Sequence, residues 1–356
     1  MYWPKLVISK AKLRKNARAI VRLCNKHGIS VIGVTKGICA HPAVAYVMLS
    51  EGCSGLADSR IKNLLYLRTL FPKIPLTLLR IPMPSEIPQL IRYTDCALVS
   101  MPSTISLINR CCAEFGCRYK IIAMCDLGDL REGFLPEDIT LISDALNRSS
   151  HIECLGVGVN FGCFGGVLPS AEKLEILLGV GRALEKETDS TLSVFSGGAT
   201  SSLSLVESGE MPVGINQLRI GEGILLGTDV TGMRSIPYLD QDVMHLEAEI
   251  IEIYRKPSRP FGTIGADAFG NIPVFKDRGK RLRAIAAIGK QDLLLSGLYP
   301  MLHGVEILGA SSDHLILDVE DCEKNLCVGG ILNFGVDYGA MLALSTSPYV
   351  GIEVAE

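Results

Sequence analysis

A lysine at the end of an apolar run is the first candidate for chemistry in this sequence. Val31-Ile-Gly-Val-Thr35 precedes Lys36, and Gly37 follows it directly. The run predicts a short buried β-strand, and burying an ammonium group without a partner is costly. The side chain either reaches back to solvent or stays desolvated, and a desolvated neutral amine can act as a nucleophile that forms a Schiff base. The residues that accompany Lys36 decide between these two interpretations.

Two glycine-rich segments farther along the chain could bind a phosphate group. Phe195-Ser-Gly-Gly-Ala-Thr200-Ser201 and Arg219-Ile-Gly-Glu-Gly223 each follow an apolar run. Backbone N–H groups and hydroxyls suit an anion, because glycine lets the chain approach it closely. The alternative is that these glycines only form turns. The residues that we predict to bind the phosphate or its carrier here are Ser196, Gly197, Gly198, Thr200, Arg219, Gly221 and Glu222.

These segments belong to a regular alternation of apolar strand candidates and helical patterns. The strand candidates begin near Val31, Cys53, Leu76, Cys96, Tyr119, Glu153, Thr191 and Gln217. The helical patterns between them begin at Pro42, Asp58, Ser85, Ser103, Asp138, Ser170 and Ser201. Eight buried strands alternating with helices over about 200 residues predict an α/β fold, a closed (β/α)8 TIM barrel. A doubly wound open sheet is the alternative, although no Gly-x-Gly-x-x-Gly follows the first strand.

The pattern changes near residue 230, where helical periodicity gives way to β-like runs. These runs span residues 245–254, 281–288, 314–319, 330–334 and 339–345. They predict a smaller all-β domain after the barrel. We place the barrel at residues 10–229 and the C-terminal β domain at residues 230–356, with a strand in residues 1–9 joining the β domain.

Composition narrows the classes of function. The net charge is −3 without a basic run, which argues against nucleic acid as a partner. No stretch reaches the roughly 18 apolar residues of a membrane span, and the first residues lack the pattern of a signal peptide. The twelve cysteines are scattered and include no Cys-x-x-Cys pair, so we expect neither a metal site nor a disulfide framework. The composition is typical of a reduced, cytoplasmic protein.

The C-terminal ends of the strands are where a barrel of this type carries its catalytic residues. Besides the two glycine-rich segments, those ends supply Lys36, Asp58, Arg80, Ser100, Asp126 with the nearby Arg131, and Asn160. A buried lysine on the first strand and a phosphate site on the last two fit pyridoxal phosphate, whose aldehyde condenses with a lysine and whose ring withdraws electrons. Schiff-base aldolases also need a lysine and often a phosphate, and they are the rival interpretation.

The same residues carry a resemblance to a known family. The stretch Val34-Thr-Lys36, the segment Cys125-Asp-Leu-Gly-Asp-Leu-Arg131-Glu-Gly133 and the segment Gly335-Val-Asp-Tyr338 are similar to motifs of the fold-type III pyridoxal-phosphate enzymes. Along its whole length the chain most resembles the alanine racemase N-terminal domain family, in the branch of ornithine racemase. The resemblance implies that Lys36 forms the Schiff base, that Arg131 holds the substrate side, and that Tyr338 reaches the phosphate. Asn160 stands where alanine racemase has a ring-contacting histidine.

Arg219 and the segment around Asp313 separate the reactions of this family. The resemblance implies that Arg219 faces the pyridine nitrogen, where racemases have arginine and decarboxylases have glutamate. Leu308-Gly-Ala-Ser-Ser312-Asp313-His314 resembles a decarboxylase segment whose aspartate receives a distal ammonium group. A turn residue is the alternative role for Asp313. Ser312 or His314 would serve the second face of the cofactor, from the other subunit of a homodimer.

The resemblance therefore predicts a pyridoxal 5'-phosphate-dependent amino-acid racemase that acts on ornithine or another basic amino acid. Lys36 would remove the Cα proton, with Arg131, Ser312 and Asp313 as the other catalytic candidates. The alternatives are a basic amino-acid decarboxylase of the same fold, a racemase of alanine, serine or lysine, and a non-catalytic pyridoxal-phosphate carrier protein.

Overall fold

The computed structural model describes residues 2–272 and 274–356, so Met1 of the predicted N-terminal strand lies outside the described part. These residues form two compact units. One unit comprises Lys10–Gln241, and the other joins the residues up to Ser9 with Asp242–Glu356. Among the helices of the described residues, none combines the length and apolar character that a membrane crossing requires.

The Lys10–Gln241 unit is built around a closed barrel of parallel strands. The first strand of the chain, β1 (Lys5–Ser9), belongs to the other unit. The barrel strands are β2 (Ser30–Val34), β3 (Gly55–Asp58), β4 (Leu76–Leu78), β5 (Cys96–Val99), β6 (Tyr119–Met124), β7 (Ile152–Gly158), β8 (Val194–Ser196) and β9 (Gln217–Ile220). Strand β9 pairs with β2, with Arg219 opposite Ile32, and this pairing closes the barrel. The predicted TIM barrel is confirmed.

Helices alternate with the barrel strands. They are α1 (Lys10–Lys26), α2 (Pro42–Ser50), α3 (Ile61–Leu70), α4 (Ile87–Tyr93), α5 (Pro102–Phe115), α6 (Ile139–Asn147), α7 (Ala171–Thr188), α8 (Leu203–Ser208) and α9 (Glu222–Leu226). Ser170 caps α7 by accepting a hydrogen bond from the Lys173 N–H at 3.2 Å, and Gly116 ends α5 at a φ of 64°. Because the strands are parallel, the residues that follow each strand gather at one end of the barrel.

Alternate side chains of the strands fill the barrel interior. Ile32 and Val34 of β2 pack with Ala57 of β3. Gly33 lies between them and faces α2, where a Cβ would come within 3.0 Å of the Met48 sulfur. Lys36 lies two residues beyond Val34, in a single 3-10 turn. The apolar run that predicted the strand therefore ends with a lysine at the C-terminal rim of the barrel.

The remaining strands follow the barrel in the chain. A short hairpin of β10 (Thr228–Asp229) and β11 (Arg234–Ser235) closes the Lys10–Gln241 unit. The second unit contains β12 (Met244–Pro257), β13 (Lys280–Ala286), β14 (Leu298–Pro300), β15 (Glu306–Ala310), β16 (Leu315–Asp318), β17 (Ile331–Val336), α10 (Tyr338–Thr346) and β18 (Gly351–Ala355). Its sheet has the order β14-β17-β12-β13-β16-β15, and β1 pairs antiparallel with β12 and parallel with β18. The smaller β domain predicted for this part is confirmed, and the structure shows that its sheet is mostly antiparallel.

One predicted β run of this unit is wrong. Residues 339–345 form most of helix α10, not a strand. The side chain of Asp337 accepts a hydrogen bond from the Ala340 N–H at 2.8 Å, which satisfies a helix N-terminus. Alanine, methionine and leucine then follow, and these are strong helix formers. A short apolar run fits a strand or a helix equally well. The cap that Asp337 provides explains why this run forms a helix.

Candidate active site

Lys36 sits half-buried at the C-terminal rim of the barrel. Burial lowers the pKa of its amine, and the positive charge of Arg131 lowers it further, whereas Cys163, Asp58 and Glu132 act in the opposite direction. Asp58, at the end of β3, is fully buried and accepts a hydrogen bond from the Thr35 hydroxyl at 2.8 Å. A larger share of Lys36 is therefore neutral near pH 7 than of an exposed lysine, which is what a nucleophile or a base requires.

Arg219 is the most deeply buried cation of this rim. Only 3% of its surface is exposed, and burial lowers its pKa to about 10. Its guanidinium donates to the Val159 carbonyl at 2.7 Å, to Asn160 Oδ1 at 2.8 Å and to the Ser196 hydroxyl. Ser196 in turn donates to Gln217 Oε1 at 3.0 Å. The side chain is thus held in one orientation and remains protonated at neutral pH.

A chain of hydrogen bonds continues from Arg219 to Arg131. Asn160 Nδ2 donates to Glu132 Oε1 at 2.5 Å, and Arg131 donates to the same oxygen at 2.6 Å. Arg131 and Glu132 also form an ion pair. The structure therefore brings together Asn160, Arg131 and Arg219, which the sequence had placed at three different strand ends. Glu132 was not among the predicted site residues, although its position beside Arg131 was a signal.

The loop between β8 and α8 has the features of an anion site. Gly198 has a φ of 111°, and a Cβ there would lie 2.7 Å from the Ser202 hydroxyl oxygen. In the neighbouring loop after β9, a Cβ at Gly221 would come within 3.1 Å of Val34, which is a tight contact. The hydroxyl of Ser201 is buried and has no hydrogen-bond partner within residues 2–272 and 274–356. An orphaned buried donor of this kind is what a phosphate oxygen would satisfy.

Four residues predicted to bind the phosphate or its carrier are held by protein contacts. The Thr200 hydroxyl oxygen accepts from the Gly223 N–H at 3.1 Å. The Glu222 carboxylate accepts from the Thr228 hydroxyl and the Val230 N–H, both at 2.8 Å. Ser196 is engaged by Arg219 and Gln217, and Gly197 packs under Ile215. Among the hydroxyls of the loop, that of Ser201 is therefore the one that is buried without any hydrogen-bond partner in the described chain.

A carboxylate with four backbone contacts fixes the loop after β7. Asp129 accepts from the N–H groups of Cys163, Phe164, Gly165 and Val167, at 3.0 to 3.4 Å. This loop presents the exposed Cys163, whose electrostatic interaction with Lys36 and with Arg219 raises the pKa of both. Cys163 was also absent from the predicted site residues. Finding it needs the fold of the loop, which no sequence motif encodes.

The other predicted site residues lie in the second unit. Ser312 and Asp313 belong to the turn between β15 and β16, and the Ser312 hydroxyl donates to Asp313 Oδ2 at 2.5 Å. His314 follows, with Nδ1 at 3.4 Å from the Ser311 hydroxyl. Tyr338 is the first residue of α10. The roles given to Ser312, Asp313 and Tyr338 rest on the resemblance alone.

Comparisons with known proteins identify the family. Residues 8–229 match the model "Alanine racemase, N-terminal domain". The chain is 41% identical to lysine racemase of Thermotoga maritima over 98% of both chains, and 41% identical to ornithine racemase of Acetoanaerobium sticklandii over 99% of both. The alanine racemase structure from Bacillus anthracis shares the fold, with a TM-score of 0.76, 15% identity, and coverage of 100% of this chain and 96% of that one.

A matched family model over more than half of the chain and two relatives matched end to end lead to one conclusion. Three features of the barrel rim agree with that conclusion. The pKa of Lys36 is lowered, Arg219 is buried, and the loop at Gly198 leaves no room for a Cβ. The chain belongs to the alanine racemase family and is an amino-acid racemase of that family.

Proposed function

We propose that this racemase acts on a basic amino acid, ornithine or lysine, with pyridoxal phosphate bound at the C-terminal rim of the barrel. The support for the substrate class is that lysine racemase and ornithine racemase match the chain from end to end at the same 41% identity. The observation that carries the cofactor is the pairing of a lysine of lowered pKa with an unpartnered buried hydroxyl, Ser201, at the same rim.

The residues present fit pyridoxal phosphate. Lys36 would hold its carbonyl carbon covalently, and Ser201 with the backbone of Gly198 and Gly221 would receive its phosphate. Arg219 would face the ring, with Asn160 beside it. Tyr338 would contribute to the phosphate site by resemblance. The barrel residues 10–229 would thus form the cofactor-binding domain, and by resemblance the C-terminal β domain of a second subunit would complete the site.

Pyridoxal phosphate, when bound, acidifies the Cα–H bond of the attached amino acid by withdrawing electrons from it. When it is not bonded to the cofactor, the Lys36 amine would accept the Cα proton on one face and could return it. Arg131 binds the substrate carboxylate, for which its paired N–H groups are suited. Because a guanidinium can only donate hydrogen bonds, Arg219 would leave the ring nitrogen that it faces unprotonated. This favours proton return over decarboxylation.

The base for the second face would come from Ser312 or His314 of a second subunit, and Asp313 would receive the distal ammonium group. A homodimer is supported by exposed apolar side chains in the long β12–β13 connection, where Phe261, Ile272 and Val274 are at least 78% exposed. The cytoplasmic location indicated by the composition stays a prediction.

A screen of L-amino acids with chiral analysis of the products tests this function. Purified protein loaded with pyridoxal phosphate should form the D-isomer of ornithine or lysine faster than that of alanine or serine. Lys36→Ala serves as the control and should form neither. Release of carbon dioxide without the D-isomer would instead identify a decarboxylase, and alanine as the fastest substrate would overturn the proposed specificity.

A further inference from the structure

Glu132 joins two positively charged side chains to which the proposed function gives different tasks. Its Oε1 accepts hydrogen bonds from both Arg131 and Asn160, and Asn160 Oδ1 accepts from Arg219. The Glu132 side chain is 18% exposed and that of Arg131 is 35% exposed. One carboxylate and one amide therefore connect the substrate side of the rim to the ring side.

The chemistry of these groups permits only one orientation of the Asn160 amide. A carboxylate can only accept hydrogen bonds, and a guanidinium can only donate them. Asn160 must therefore turn Nδ2 toward Glu132 and Oδ1 toward Arg219, as the distances of 2.5 Å and 2.8 Å show. If Glu132 did not accept, the amide would lose one of the two partners that fix its direction.

Glu132 is also a counter-charge. The positive charge of Arg131 lowers the pKa of both Lys36 and Arg219, and the negative charge of Glu132 opposes that effect at both. The ion pair further restricts Arg131, whose long side chain is otherwise free to leave the rim. A partly desolvated ion pair that is also hydrogen-bonded to a third group is a suitable device for holding a binding arginine in place.

We infer that Glu132 is a positioning residue of the racemase: it aims Arg131 at the substrate carboxylate and, through Asn160, fixes Arg219 against the cofactor ring. The assignment of substrate and cofactor rests on the proposed function. The direction of the hydrogen bonds in the Glu132–Asn160–Arg219 chain does not depend on the proposed function, because it follows from the donors and acceptors alone.

A polarity swap tests the inference. Glu132→Gln removes the negative charge, and Asn160→Asp sets a second carboxylate against Glu132. The double variant Glu132→Gln with Asn160→Asp restores the chain of hydrogen bonds from Arg131 to Arg219 but not the ion pair, because the new glutamine can donate to the new aspartate through its NH2 group and accept from Arg131 through its one oxygen. Glu51→Gln is the matched control, because Glu51 pairs with Arg14 and Arg18 beyond the end of α2.

The first measurement is a pH titration of the absorbance of bound pyridoxal phosphate, without any amino acid. Glu132→Gln should move its midpoint to lower pH by about one unit, because an anion that stabilises the protonated form is lost. Asn160→Asp should move it to higher pH, and the double variant should return near the wild type. Equal midpoints in all four proteins, or shifts of the same sign that add in the double variant, would overturn the inference.

The second measurement is kinetic. Each single change should raise the KM for the substrate about tenfold, which is the effect of one charge-assisted hydrogen bond, and the double variant should recover most of it. Glu51→Gln should leave KM and the midpoint unchanged. If the wild-type protein racemizes no amino acid, the proposed function fails. The pH titration would still test the positioning role of Glu132, because it requires no amino acid. A fall in kcat with KM unchanged in Glu132→Gln would contradict its part in holding Arg131.

Discussion

Burial gives the two basic side chains of the rim different chemistry. Burial lowers the pKa of Lys36, so its amine gives up a proton more readily than that of an exposed lysine. Arg219 has a pKa of about 10 and stays charged, so it can only donate hydrogen bonds. The same desolvation therefore produces a base from one residue and a fixed donor from the other. The difference lies in their ordinary pKa values, which are about two units apart.

Replacing Lys36 by methionine should stabilise the protein without cofactor. The lysine has a lower pKa in the folded chain than in the unfolded one, so the unfolded chain binds more protons between these two values. Wild-type stability therefore rises with pH across that window, up to the ordinary lysine pKa of 10.5. Lys36→Met should gain about 1 kcal/mol at pH 7 by urea unfolding, and less near pH 10.

The companion experiment fixes the identity of this lysine. Borohydride reduction of the loaded wild-type protein should attach the cofactor to the peptide that contains Lys36, and Lys36→Met should take up none. Attachment to another lysine would show that the rim lysine is only a structural residue. If the Lys36→Met protein were less stable than the wild type at pH 7, contacts in the folded protein would be shown to offset the cost of burying the ammonium group.

Arg219→Glu should cost about 3 kcal/mol of unfolding free energy. Glutamate would oppose the Val159 carbonyl and Asn160 Oδ1, two acceptors that now share one guanidinium. Arg219→Lys keeps the charge and should lose less unfolding free energy.

On folded protein loaded with pyridoxal phosphate, Arg219→Glu should slow racemization and increase side reactions such as transamination. Chiral analysis and product analysis would follow these two effects. Unchanged racemization would show that Arg219 does not face the ring.

At the scale of elements, the sequence was informative where each element carried its own signal. The strand before Lys36 and the cap at Ser170 were predictable because apolar runs and capping serines act over a few residues. Helix α10 was mistaken because the deciding aspartate lies outside the run. Glu132 was missed because its contact with Asn160 joins residues 28 positions apart, in loops that follow different strands.

The loop between β8 and α8 offers a matched pair of serines. Ser202 donates to the Gly197 carbonyl at 2.7 Å, whereas Ser201 has no partner in the described part of the chain. Ser201→Ala should leave the unfolding free energy of the cofactor-free protein within about 0.5 kcal/mol of wild type, and Ser202→Ala should lower it by about 1 kcal/mol. Only Ser201→Ala should raise the dissociation constant of pyridoxal phosphate about tenfold directly, since it removes a phosphate donor.

Spectroscopic titration with pyridoxal phosphate and with pyridoxal separates this effect from a general loosening of the loop. Ser201→Ala should weaken binding of the phosphate ester and leave binding of pyridoxal unchanged. An equal loss for both ligands would place the phosphate elsewhere, and a large loss of stability in Ser201→Ala would mean that its hydroxyl has a partner in the folded protein.

At the scale of the whole molecule, the residues assigned to the reaction divide between the two units. Lys36, Arg131 and Arg219 belong to Lys10–Gln241, and Ser312 and Asp313 belong to the unit that contains Asp242–Glu356. The sequence predicts both units but not which copy of the second unit serves a given barrel. That choice depends on contacts between surfaces, and surface composition alone does not specify a partner.

Mixing two inactive variants decides which subunit supplies the second half of the site. In a homodimer with shared sites, a Lys36→Ala chain paired with an Asp313→Ala chain contains one intact site and one doubly defective site. Random re-pairing of equal amounts makes half of the dimers mixed, so roughly a quarter of the wild-type activity should return. The control mixes Asp313→Ala with a chain that carries both changes, and it should recover nothing because the working lysine then never meets an intact Asp313. Absence of recovery in verified mixed dimers would mean that Lys36 and Asp313 act within one subunit.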